Sequence, residues 1–340
     1  MAALAATLPQ RLTRKVIHMP TTVHFATNRV VTNPSDPING YNASMVPPSA
    51  PNQMTYGTVF VDGVNVATNT AGTITQITDV NQGAFSQAAI GDLSSPGRNL
   101  LVFIHGFANT FSDAITRAAF NREWLATSDQ PGSSTTVIAF SWPSLGKVVS
   151  LPIPQEVYLA DQNMAQNSGI HLMAFLANLS PILASARASG QRATLLAHSM
   201  GNLALVSGVE NWFLHGNGDD EILDLAILAA ADCRYDTFDQ PFPGGLSGLV
   251  RLTERVSVYY SQNDQVLKLS MVVNLGAKRL GQDGPHNMAD TSEFPTNVYT
   301  MVNCSAYQDY DFNFMSSHQY YRMSPTVRPI IVNDMAQVVA

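Results

Sequence analysis

Between residues 100 and 302 the chain carries short apolar runs, most of them separated by stretches with helical periodicity. The runs are Leu100–Ile104, Thr135–Phe140, Ala193–Ala197, Leu223–Ala231, Val256–Tyr260 and Val298–Val302. Each is continuous rather than alternating, which suits strands covered on both faces. Helical patterns fill Thr110–Thr127, Glu156–Leu179 and Gly201–His215. Strand and helix in alternation imply an α/β fold, a mostly parallel sheet with helices on both sides. Upstream, Thr21–Ala26 and Thr55–Val61 read as two more strands. Between them Asn33–Met54, rich in Pro, Asn and Ser, reads as a long loop. One domain is expected: N-terminal strands and loop over 1–98, a core over 99–321 and a tail over 322–340.

In open α/β sheets, sites form outside the carboxyl ends of the strands. His105, Trp142, Ser199, Asp232 and Asp264 all stand at such ends. Thr194-Leu-Leu-Ala-His-Ser-Met-Gly-Asn202 is the most specific of these segments. It predicts a buried strand, a sharp turn at Ser199 and a helix over Asn202–Trp212. A serine nucleophile on a strand–turn–helix elbow needs this layout, with small residues on either side. Gly201 supplies one small position and Ala197, not glycine, the other. The competing reading, a serine that only caps a helix, does not call for His-Ser-Met-Gly directly after a buried strand.

A nucleophilic serine needs a base, and the base needs an orienting acid. His318 follows the last run and His286 precedes it, so His318 is the expected base. The acid is expected after the seventh strand, which is the Val256–Tyr260 run if two strands lie in the N-terminal region. That selects Asp264, with Asp232 as the alternative acid. Asp309 and Asp311 read as solvated loop residues. The oxyanion hole is expected at the backbone N–H groups of Met200 and Phe107. His105 and Trp142 are candidates for the substrate pocket, together with Phe107, Met200 and the segment Pro241–Gly245, although the His105 imidazole suits plain packing.

The hydrophobic fraction is 45%, the charged fraction 13% and the formal net charge −7, which leaves no basic footprint for nucleic acid. The expected partner is a small-molecule ester, with oligomeric state open. No ligand cluster has metal spacing, so neither metal nor cofactor is expected. Two cysteines, Cys233 and Cys304, are too few for a disulfide framework and read as free thiols. In the segment Met1–Gln10 no basic residues precede the apolar stretch, and Arg11, Arg14 and Lys15 follow it, the wrong order for a secretory signal. No apolar run approaches the roughly 18 residues of a membrane span. These readings lead to a cytoplasmic expectation, with a trimmed signal left open.

The motifs together resemble one bacterial α/β-hydrolase family, long catalogued as a domain of unknown function and described as esterase- or lipase-like. The resemblance runs roughly from Met19 to Tyr321. It rests on Phe25-Ala-Thr-Asn-Arg29, Ile104-His-Gly-Phe107 with Asn109 and Phe111, Ser141-Trp-Pro-Ser144 and Ala197-His-Ser-Met-Gly-Asn202. It continues in Tyr259-Tyr-Ser-Gln-Asn-Asp-Gln-Val-Leu-Lys-Leu-Ser270, Arg279-Leu-Gly281, Gly284-Pro285, and His318 with Tyr320. It implies an α/β-hydrolase fold, a triad of Ser199, Asp264 and His318, and hydrolysis of a carboxylic ester through an acyl-enzyme. The polar insertion Asn33–Asn52 is larger than the family pattern requires. An amidase or acyltransferase could use the same residues, and a hydrolase fold can also serve as a non-catalytic binding module. No large lid insertion is evident, which favours a soluble esterase over an interfacial lipase.

Overall fold

Continuous apolar runs become the middle of a nine-stranded sheet in the computed structural model, which describes residues 20–128, 130–146 and 155–337. The segment Met1–Gln10, with Arg11, Arg14 and Lys15, lies outside the described residues. In chain order the strands are β1 (Thr21–Thr27), β2 (Arg29–Val31), β3 (Tyr41–Met45), β4 (Thr55–Asp62), β5 (Thr73–Gln82) and β6 (Asn99–Ile104). They continue with β7 (Thr135–Ser141), β8 (Ala193–His198), β9 (Leu223–Ala229), β10 (Thr253–Tyr260) and β11 (Tyr299–Asn303). The sheet order is β11-β10-β9-β8-β6-β7-β1-β4-β5. From β11 to β1 every pairing is parallel, and β4 and β5 add an antiparallel edge.

The helices are α1 (Gln87–Leu93), α2 (Phe111–Ala126), α3 (Gln155–Asn167), α4 (Gly169–Ala188), α5 (Gly201–Leu214), α6 (Gln265–Val273), α7 (Leu280–Asp283), α8 (Tyr320–Met323) and α9 (Val327–Ala336). Strand residues alternate between two cores. Leu100, Val102 and Ile104 pack toward α4 and α5, while Leu101 and Phe103 pack toward α2 and α9. Alternate side chains point to opposite faces, so each strand feeds both layers. This is the α/β-hydrolase arrangement that the motifs implied.

Several local expectations change. The helix expected over Glu156–Leu179 is two helices that meet at Ser168. A Cβ on Gly169 would lie 2.2 Å from Ser207 Oγ of α5, so the chain must pass close to α5 there. Strand β5 carries no clear pattern because most of its residues are partly or fully exposed at the sheet edge. With it, β10 is the eighth strand of the sheet rather than the seventh, and Asp264 still follows that strand's carboxyl end. The long loop is partly ordered as β3, which pairs with β2. Tyr41 stacks on Phe111 with ring centroids 3.7 Å apart. Helix α4 is 20 residues long with a mean hydropathy of 1.4, long and apolar enough to cross a membrane, contrary to expectation. A helix apolar all round is also what a core position requires, and α4 lies against α5 and β8 within one of the cores. Residues 322–337, expected as a tail, carry α9, where Val327, Ile331, Val332 and Met335 are buried and Asp334 pairs with Arg255 at 2.9 Å. Both cysteines are free and buried.

Candidate active site

Ser199 follows β8 and precedes α5 with φ +56°, in the left-handed region that a residue with a Cβ rarely adopts. The turn is held from several directions. Ser199 N–H donates to Ala229 O at 3.0 Å, and Ser199 O accepts from the N–H groups of Asp232 and Asn202. The buried Asn202 amide donates to Ala197 O and Ser199 O at 3.0 and 3.1 Å. Such a conformation persists only where its surroundings over-determine it.

Two glycines let the β6 loop meet this elbow. A Cβ on Gly106 would stand 2.7 Å from Ser199 Cβ, and one on Gly201 would stand 2.5 Å from His105 O. Ala197 is fully buried and fits where a glycine is commoner. Among the described residues, the N–H groups of Phe107 and Met200 have no protein acceptor. Phe107 belongs to the loop that meets the elbow, and Met200 directly follows Ser199.

His318 stands in the loop after β11, on a short 3-10 turn. Its Nδ1 lies 2.6 Å from Asp264 Oδ2, and its Nε2 is buried with no partner. Asp264 also caps α6, its Oδ1 accepting the Leu267 N–H at 2.9 Å. Ser317 Oγ accepts the Gln265 N–H at 3.0 Å, which ties the histidine loop to the same helix. Tyr320 Oη donates to Tyr259 O and accepts from Ala230 N, so the loop is clamped to the ends of β9 and β10. The side chains of Ser199 and His318 are not hydrogen-bonded to each other, but both residues border one cavity of about 400 Å³. Catalytic hydrogen bonds are often long until substrate is present.

The other titratable candidates are committed elsewhere. Asp232 pairs with Arg279, Nε to Oδ1 2.8 Å, and accepts from Tyr158 Oη and Ser270 Oγ. Burial alone would raise its pKa, but Arg279, Ser270 and Tyr158 outweigh that and hold it below the usual range. Asp232 borders the cavity, yet it makes no hydrogen bond to a histidine. The partly exposed His286 pairs with Asp239 at 2.6 Å and does not border the cavity. Asp309 accepts from the Thr326 N–H near the start of α9, and Asp311 is exposed on the cavity rim.

His105 and Trp142 stand behind the site rather than in the cavity wall. Both are fully buried, and neither borders the cavity. The rings stack 4.9 Å apart, and Trp142 Nε1 donates to His105 O at 2.7 Å. Burial and the nearby Arg29 charge push the His105 imidazole down to about 3. The Pro241–Gly245 segment is likewise outside the cavity; Phe242 packs on Phe213. Phe107 does border the cavity, and Met200 does not.

Supporting residues were missed because they are remote in sequence. Arg29 is 1% exposed and reaches the carbonyls of Trp142 at 2.7 Å and Asn109 at 2.9 Å and the Ser141 hydroxyl at 3.1 Å. Burial lowers it to about 9, although Asp161 and Asp113 oppose that. Asp161 accepts from the N–H groups of Ala108 and Leu145 at 3.2 and 2.9 Å. Arg29 and Asp161 together fix the loops after β6 and β7. His198 packs on His318, ring centroids 4.8 Å apart, and its Nε2 lies 3.2 Å from His318 O. Burial and the neighbouring His318 hold His198 well below the usual histidine range.

Among the described residues no group of three or more His, Cys, Asp or Glu could hold a metal ion. No curated protein and no solved structure matches the chain significantly. A family model described as alpha/beta hydrolase of unknown function (DUF900) matches residues 82–335, from the end of β5 to α9. The chain therefore belongs to this α/β-hydrolase family of unknown function.

Proposed function

We propose that the chain is a serine hydrolase that cleaves carboxylic esters through an acyl-enzyme. One observation carries the reading: His318 pairs with Asp264 through Nδ1, keeps an unpartnered Nε2, and borders the same cavity as Ser199. In the proposed reaction Ser199 Oγ attacks the ester carbonyl and His318 Nε2 takes the hydroxyl proton. The oxyanion accepts hydrogen bonds from the N–H groups of Phe107 and Met200, each such donor contributing roughly 3–4 kcal/mol in comparable sites. Collapse breaks the ester C–O bond, and His318 returns its proton to the leaving alkoxide. Water then attacks the acyl-enzyme with His318 again as base, which releases the acid and restores Ser199. Asp264 orients the ring and stabilises the imidazolium.

The test is hydrolysis of a series of 4-nitrophenyl esters by the wild type and Ser199→Ala. The expected result is measurable turnover that falls by about 10⁴-fold or more in the variant, as in other triads. Turnover retained in Ser199→Ala would contradict the assignment.

A further inference from the structure

Two arginines share the cavity with Ser199 and have no carboxylate of their own. Arg117 projects from α2 and Arg322 from α8, and both border the cavity. Among the described residues neither forms an ion pair, whereas the buried Arg255 and Arg279 each hold an aspartate. Among the described residues Arg117 donates no side-chain hydrogen bond. Arg322 donates Nε to Gln319 Oε1 at 2.7 Å and one further N–H to Asn69 Oδ1 at 3.5 Å, which leaves most of its five donors unused. Its guanidinium lies over the Phe120 ring, 5.3 Å from the centroid.

The two charges act on each other and on the elbow. Burial lowers Arg322 to about 10, and the Arg117 charge adds to that effect. The Arg117 charge also disfavours protonation of His198, the residue before Ser199. Two half-buried guanidinium groups in mutual repulsion are costly without a counter-charge, because desolvation of a cation is offset only by a close anion. The chain has a formal net charge of −7, so carboxylates are abundant, yet among the described residues none pairs with either arginine. Asp311 borders the cavity but is exposed and paired with neither. Asp232 is engaged by Arg279.

We propose that Arg117 and Arg322 form an anion-binding subsite of the catalytic cavity, and that the ester substrate carries a negatively charged group, a carboxylate or a phosphate. This rests on the hydrolase reading of Ser199. Guanidinium groups match both anions through planar, paired N–H donors. Both guanidinium groups are half-buried, and such contacts are stronger there than at a fully exposed surface. The rest of the wall, with Phe107, Val266, Leu269 and Val273, takes the uncharged part of the substrate.

The experiment compares three 4-nitrophenyl esters of equal length: the mono-ester of adipate, its uncharged terminal-amide analogue, and a phosphonate-terminated analogue. Each is assayed with the wild type, Arg117→Gln and Arg322→Gln. In the wild type, one or both anionic esters should exceed the amide at least ten-fold in kcat/KM, mainly through KM, and added salt should reduce the difference. The anionic-to-amide ratio should fall toward one in either variant. Because the ratio is taken within each variant, a general loss of activity or stability cancels. The ranking of carboxylate and phosphonate identifies which anion fits. Hydrolysis of the amide analogue as fast as both anionic esters in the wild type would overturn the subsite alone. So would a ratio unchanged in both variants. If none of the esters is cleaved and a phosphonate probe leaves Ser199 unlabelled, the hydrolase reading fails, and the subsite with it.

Discussion

A Cβ on Gly106 would stand 2.7 Å from the Cβ of Ser199, so the loop after β6 and the elbow after β8 meet with no room for a methyl group. The same Cβ would lie 3.1 Å from His198 O. Neither contact involves the far end of a flexible side chain. Gly106→Ala must therefore move backbone on one side of the site. The expected cost is about 1–3 kcal/mol of stability, in line with other overpacked sites. Ester turnover should fall by more, because the Phe107 N–H moves with its neighbour. Thermal unfolding together with an ester assay checks both. A variant with wild-type activity and melting temperature would show that the loop is not held this tightly.

Asp264 and Asp232 stand at the ends of adjacent strands with different partners, and their amides should fail differently. Asp264→Asn leaves the His318 ring without the carboxylate that fixes its tautomer. Turnover should fall by up to about 10⁴-fold with KM little changed. Asp232→Asn instead strands the buried Arg279 guanidinium. Breaking such a pair costs roughly 3–5 kcal/mol. That variant should lose stability first and keep far more of its turnover when measured well below its melting temperature. Steady-state kinetics beside urea unfolding separates the two. The opposite pattern would transfer the acid role to Asp232.

His105 and His198 connect stability to pH. Both are held neutral in the folded chain, His105 down to about 3 and His198 well below the usual range, with burial the largest cause in each. An unfolded histidine binds its proton near pH 6.5. Below that value the unfolded chain binds protons that the folded chain refuses, so stability declines as pH falls and is fully present above it. Each histidine contributes a slope of about 1.4 kcal/mol per pH unit. Urea unfolding between pH 7 and 5 should show this decline, and His198→Asn should have a shallower slope despite lower stability. A flat profile over this range in the wild type would mean that the two rings take up protons in the fold.

The strands, the elbow and the order of the candidate residues were legible in the sequence because continuous apolar runs and a strand–turn–helix motif are local signals. Asp264 and His318 were selected by their places after particular strands and by the family resemblance, and their side chains meet at 2.6 Å. What was not legible depends on contacts between distant residues. Trp142 ends a strand, as a cavity residue would, but its ring turns back onto His105. Arg29 sits in a short polar motif that gives no sign that its guanidinium crosses to the loops after β6 and β7. Strand β5 carries little pattern because it lies at the sheet edge, where only Ile74 and Ile77 pack against the core and most other residues face solvent. Arg117 and Arg322 are 205 positions apart, and only the fold brings both to the cavity.

The most direct test of the central claim is mass spectrometry after reaction with a fluorophosphonate. The reagent loses fluoride and phosphonylates a serine only where a base and an oxyanion hole activate it. One adduct per chain is expected, mapped to Ser199, with Ser199→Ala unlabelled and labelling of His318→Ala slowed by orders of magnitude. No adduct on the folded wild type, or an adduct on another residue, would contradict it.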